Sequence, residues 1–118
     1  MNRRAIGGAG EQAACDFLVS RGWKILDRNV RRGQGEIDLI ARRRDLTAFV
    51  EVKYRRSLRC GTPAEAVDVR KRRRIVQAAA LYAQEKGLAD ARLRFDIIEI
   101  LPGEIRHIEG AFDATDLI

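Results

Sequence analysis

From Ile37 to Tyr54 the chain carries two apolar stretches on either side of Arg43-Arg44-Asp45. The first runs through Ile37, Leu39 and Ile40, the second through Phe49, Val50 and Val52. Apolar residues on both sides of each strand suit a sheet covered on both faces. Three charged side chains, Asp38, Glu51 and Lys53, interrupt these stretches, where charge is unwelcome. With the turn centred on Arg44 and Asp45, Asp38 faces Glu51. Directly opposed residues project to one face with Cβ atoms roughly 4.5–5.5 Å apart. Lys53, two residues beyond Glu51, shares that face. A slip of one residue would send Asp38 to the other side.

Two adjacent carboxylates repel unless a cation or a proton sits between them. Hard divalent ions, Mg²⁺ above all, suit one or two carboxylates completed by substrate phosphate oxygens. A lysine beside them can orient a water and stabilise charge at phosphorus. The plainer reading, an edge hairpin with a solvated ion pair, stays open on spacing alone. Glu11 lies on the apolar stripe of a first helix, with Ala14 and Leu18. It reads either as a third acid of the site or as a first-turn residue favoured by the helix dipole.

The rest of the chain fits one domain, residues 1–118. Hydrophobic content of 46% suits a packed core. No apolar run approaches the ~20 residues of a membrane span, and no secretory signal is visible. Two cysteines, Cys15 and Cys60, make no disulfide framework, and a single histidine cannot complete a zinc site with them. A reducing, cytoplasmic setting is the expectation. Net charge is +6. Clusters at Arg31-Arg32, Arg42-Arg43-Arg44, Arg55-Arg56 and Arg70 to Arg74 point to an anionic partner, nucleic acid being the commonest. Aromatic content of only 6% argues for contact with the backbone rather than base stacking.

The order of elements reads α-β-β-β-α-β-β, an α/β fold with a mixed central sheet flanked by helices. A helix is predicted over 8–21, stopped by Gly22. Strands are predicted over 23–29, 37–42, 46–54, 91–101 and 105–108, with 31–35 as a basic loop. Thr62-Pro63-Ala64-Glu65 carries a capping box that opens a second helix, with a break near Val69 and an end at Gly87. Glu36 alternates away from Asp38. Asp96 reads as a buried structural acid, His107 as a structural histidine, Cys15 as core and Cys60 as an exposed thiol.

The segments Gly-Glu-Ile-Asp-Leu-Ile and Phe-Val-Glu-Val-Lys-x-Arg closely resemble the YraN family of small bacterial proteins. Further matching segments are Gly10-Glu11, Arg28-Asn29, Lys71, Ala79 with Tyr82, Arg94-Phe95-Asp96 and His107-Ile108. That family looks like the PD-(D/E)XK nuclease superfamily, similar in plan to archaeal Holliday junction resolvases. The resemblance implies a restriction-endonuclease-like core and metal-dependent cleavage of DNA, structured or branched forms included. It implies Asp38, Glu51, the Val52 carbonyl and Glu11 as ligands of Mg²⁺ or Mn²⁺, and Lys53 as the catalytic lysine. Arg55, Arg56, Lys71, Arg31 and Arg32 are the expected nucleic-acid contacts, DNA ahead of RNA, and a homodimer stays open. Ile37 stands where the motif's name has proline, and Gln77 lies five residues from Tyr82 where some nuclease branches have four. Two other classes remain: a nucleic-acid-binding module that keeps the fold without cutting, and an interaction protein whose basic faces meet an acidic partner.

Overall fold

The computed structural model describes residues 3–55, 68–88 and 91–114, with side chains from residue 10 onward. Two helices and five strands follow in the order α1 (Arg3–Ser20), β1 (Lys24–Arg32), β2 (Gly35–Arg43), β3 (Leu46–Tyr54), α2 (Val69–Glu85), β4 (Arg92–Leu101) and β5 (Glu104–Phe112). The strands form one sheet in chain order. All neighbours are antiparallel except β3 and β4, which run parallel because α2 carries the chain back between them.

Each face of the sheet is covered by one helix. Ala14, Leu18 and Trp23 pack with Leu39, Ala48, Val50 and Ile98 on the α1 side. Ile75, Ala78, Ala79 and Tyr82 pack with Ile37, Ile40, Phe49 and Ile97 on the α2 side. Leu93 is 40% exposed at the start of β4.

Both helices stop in the same way. Gly22 and Gly87 have φ of +86° and +68°, a conformation glycine takes without steric cost. The next residue donates back to the helix: Trp23 N–H to the Leu18 carbonyl at 3.0 Å, and Leu88 N–H to the Ala83 carbonyl at 2.7 Å. The first helix and the strands through Tyr54 thus follow the sequence reading closely. The basic stretch 31–35 differs. Arg31 and Arg32 continue β1, paired with Glu36 and Gly35, and only Gly33 and Gln34 turn the chain. Arginine and glycine suggested a loop, but cross-strand pairing outweighs such weak local preference. The described part of α2 starts at Val69, capped by Asp68, which accepts the Lys71 N–H at 2.8 Å. The Thr62 capping box, Arg56 and Cys60 lie outside the described residues.

Candidate metal and phosphate site

The β2–β3 hairpin has the register that opposes Asp38 to Glu51. Arg43 pairs with Leu46, Ile40 with Phe49 and Leu39 with Val50. The ladder stops there. Asp38 Oδ2 instead accepts the Val52 N–H at 2.8 Å, so a side chain takes the place of a strand carbonyl. The N–H and C=O of a strand residue face the same neighbour. The Val52 carbonyl therefore also looks toward the Asp38 side of β3.

Phe49 points into the α2-side core. Glu51 and Lys53 follow it at alternate positions and share its face. The Glu51 side chain is 8% exposed and holds two ammonium groups on one oxygen. Lys71 Nζ lies 2.6 Å from Glu51 Oε1 and Lys53 Nζ lies 3.6 Å from it. Lys71 comes from the first turn of α2, which Asp68 orients through its cap.

The electrostatics follow from burial. Asp38 is pushed up to about 7, first by desolvation, then by the neighbouring Glu51 charge, with a smaller push from Glu11. The Val52 hydrogen bond works the other way and is outweighed. The two carboxyl groups are close enough for the Glu51 charge to act on Asp38. Burial, and then the hydrogen bond and charge of Lys71, hold Lys53 below the ordinary lysine range. Burial also opposes charge on Lys71, but its contact with Glu51 prevails and raises it. The two lysines are thus shifted in opposite directions.

The donor set fits a small hard cation. It is all oxygen: the carboxylates of half-buried Asp38 and buried Glu51 beside a backbone carbonyl. Among the described residues, no three Asp, Glu, His or Cys side chains come together as a metal site by themselves. An ion here would complete its shell with water and phosphate, as Mg²⁺ commonly does. Glu11, half-buried on α1, is near enough for its charge to reach Asp38 but does not join a three-acid cluster.

The expected basic contacts divide. Arg31 is exposed and pairs loosely with Glu36 at 3.5 Å. Arg32 makes a two-pronged contact with Glu85 at 2.8 and 3.2 Å. Arg55 is drawn inward. Its side chain is 9% exposed and meets the fully buried Glu99 at 2.8 Å, so its charge serves the fold rather than an outside anion. Lys71, expected as a phosphate contact, sits in the carboxylate cluster instead. The signal was present in the sequence: Lys71 is in helical step with Ile75, Ala78 and Tyr82, the buried stripe of α2. Asp96 is the structural acid its surroundings suggested. It is wholly buried and accepts from Arg94 at 2.8 and 2.9 Å and from the Gly110 N–H at 3.0 Å, with His107 Nε2 at 2.7 Å. Burial works against its charge, but these bonds overcome it and lower its pKa.

A mixed sheet between two helices, with paired carboxylates and two lysines where β2 and β3 part, defines a small α/β protein with a charged cluster at one end of its sheet. Residues 10–100 match the family described as Uncharacterised protein family UPF0102, a span that includes Glu11, Asp38, Glu51, Lys53 and Lys71. The chain belongs to that family. It is 48% identical to a UPF0102 protein of Symbiobacterium thermophilum over 97% of this chain and 100% of that one. Similar relatives occur in Myxococcus xanthus, at 44% identity over 95% of this chain and 92% of the relative, and in Clostridioides difficile, at 42% over 95% and 100%. Among the described residues, no helix is long and apolar enough to cross a membrane.

Proposed function

We propose that this protein is a metal-dependent endonuclease of the PD-(D/E)XK type, similar in plan to archaeal Holliday junction resolvases. Its substrate is DNA, structured or branched forms included, and its cofactor is Mg²⁺ or Mn²⁺. The observation that carries the reading is the pair of half-buried Asp38 and buried Glu51, two neighbouring carboxylates at one end of the sheet, with the Glu51 charge acting on Asp38. Such a pair is costly unless a cation or a proton relieves it.

Asp38, Glu51 and the Val52 carbonyl would hold the ion, which supplies charge stabilisation at the phosphoryl oxygen and at the entering and leaving oxygens. The residues divide the remaining work. The Val52 N–H fixes the Asp38 carboxylate through Oδ2. Lys53, with 24% of its side chain exposed, orients a water by donating a hydrogen bond to it. Lys71 balances charge at Glu51. The basic surface supplies backbone contact without sequence reading.

One observation favours a second reading, a binding module that keeps the fold without cutting. Glu51 is already neutralised by two lysines, so the cluster can close as an ion-pair network with no metal at all. The lysine separates the two. For the nuclease, Lys53→Ala abolishes cleavage and leaves most DNA affinity, because its charge is engaged with the carboxylates. Cleavage that persists undiminished in Lys53→Ala would remove that lysine from the chemistry. DNA binding with a clear salt slope and no cleavage by the wild type would favour the binding module.

A further inference from the structure

The contact between Lys71 and Glu51 and the cleft beside it bear on how such a site would be loaded. We infer that Lys71 is a tethered counter-ion, holding Glu51 until a divalent cation displaces it into the neighbouring cleft. There, with Arg70 and Arg74, it takes a backbone phosphate of nucleic acid. The inference rests on the metal-dependent reading and adds the route by which cation and nucleic acid help each other to bind.

Glu51 Oε1 holds the Lys71 ammonium at 2.6 Å. A divalent cation on that carboxylate places like charges side by side in a largely buried setting, where repulsion is strong. One of the cations must leave. Lys53 stands on β3 among the carboxylates, with 24% of its side chain exposed. Lys71 is 43% exposed, and its flexible stem springs from a helix turn that opens toward solvent.

The space it can enter is defined. A cleft of about 370 Å³ is lined by Gln34, Gly35, Glu36, Arg70, Lys71 and Arg74, among others. Its acids are already engaged: Asp68 caps α2 through the Lys71 N–H, and Glu36 pairs with Arg31. Arg70 and Arg74 are both exposed, one helical turn apart, and neither has a carboxylate partner among the described residues. Two guanidinium groups joined by a displaced ammonium suit a phosphodiester oxygen. With Lys71 back on Glu51, the cleft loses a third of that charge. Cation and phosphate therefore promote each other, and linkage requires the same factor in both directions.

Mn²⁺ affinity, read from the free-ion signal in electron paramagnetic resonance, tests this without relying on cleavage. The titration is made with and without a phosphorothioate-backbone DNA duplex, on variants shown by thermal melting to be folded. Lys71→Met is expected to bind Mn²⁺ about tenfold tighter than wild type in the absence of DNA, within the ~5–150-fold range of typical couplings. Lys71→Gln gives the same reading if the methionine variant does not fold. Lys71→Arg, which keeps the charge, stays at the wild-type level. DNA tightens Mn²⁺ binding to wild type but not to Lys71→Met. The double variant Arg70→Ala/Arg74→Ala matches wild type without DNA and loses the DNA-linked gain. If wild-type binding depends on Asp38 yet Lys71→Met binds no tighter, or Lys71→Arg tightens equally, the counter-ion role is overturned and the metal site stands. A DNA-linked gain that survives in the double variant overturns the cleft as the phosphate seat. No Asp38-dependent Mn²⁺ binding in any variant overturns both this inference and the metal-dependent reading.

Discussion

Asp38 sits where a strand would ordinarily use a backbone carbonyl, and desolvation, then the neighbouring Glu51 charge, push its carboxyl up to about 7 against the Val52 hydrogen bond. An exposed aspartate titrates near ~3.9. The native state therefore binds this proton more tightly than the unfolded chain does. Stability falls as pH rises through the window from about 4 to about 7, and the loss is complete above it. Asp38→Asn removes the effect. In EDTA, the melting temperature of Asp38→Asn should pull ahead of wild type across that window and keep a level lead above it. Roughly 4 °C accompanies each kcal/mol for a domain near this size. A gap that does not change with pH would show that Asp38 is not an unrelieved buried acid. The pairing of Asp38 with Glu51 was legible in the sequence because the Arg44-Asp45 turn and the apolar alternation fix one register. The inward turn of Arg55 was not, because its partner Glu99 lies on β4, remote in sequence. Arg55→Ala leaves Glu99 buried without its guanidinium and should cost about 3–5 kcal/mol in urea unfolding. A change under 1 kcal/mol, with loss of DNA affinity instead, would return Arg55 to the binding surface.

At the scale of elements, the site depends on how closely β2 and α2 approach. Gly35 opens β2 directly under the helix. A Cβ there would run into the Arg74 carbonyl oxygen and come within 2.9 Å of the Ala78 Cβ. Backbone atoms cannot step aside as a flexible side chain can, so the helix would have to lift. Gly35→Ala should therefore destabilise the fold by ~1–3 kcal/mol or more. It should also move the first turn of α2, and Lys71 with it, away from Glu51. A variant as stable as wild type would show that the packing of β2 on α2 is looser than described. The glycine in the Gly35-Glu36-Ile37-Asp38 segment thus belongs to helix packing as much as to the turn before it. Sequence alone could place it in a loop, because nothing local announces a helix some forty residues later in the chain crossing above it.

Across the whole molecule, the net charge of +6 is distributed unevenly in its consequences. Arg32, Arg55 and Arg94 are tied to Glu85, Glu99 and Asp96, while Arg70 and Arg74 face an open cleft next to the carboxylates. Counting basic residues pointed to an anion. Only the fold separates the cations that hold it together from those turned outward. The sheet, the helix stops and the carboxylate pair could be read from local sequence, while the acidic partners of Arg32 and Arg55 could not, because they lie on elements remote in the chain.

The central claim is that Asp38 and Glu51 form a cation-dependent centre for phosphodiester cleavage. The most direct measurement is cleavage of end-labelled duplex, single-stranded and branched DNA, beside RNA, in Mg²⁺ or Mn²⁺, by wild type and Asp38→Ala prepared identically. The account predicts cutting of at least one DNA form by the wild type, abolished by EDTA and absent in Asp38→Ala. Equal cutting by both proteins, or none by the folded wild type on any form with either metal, would contradict it.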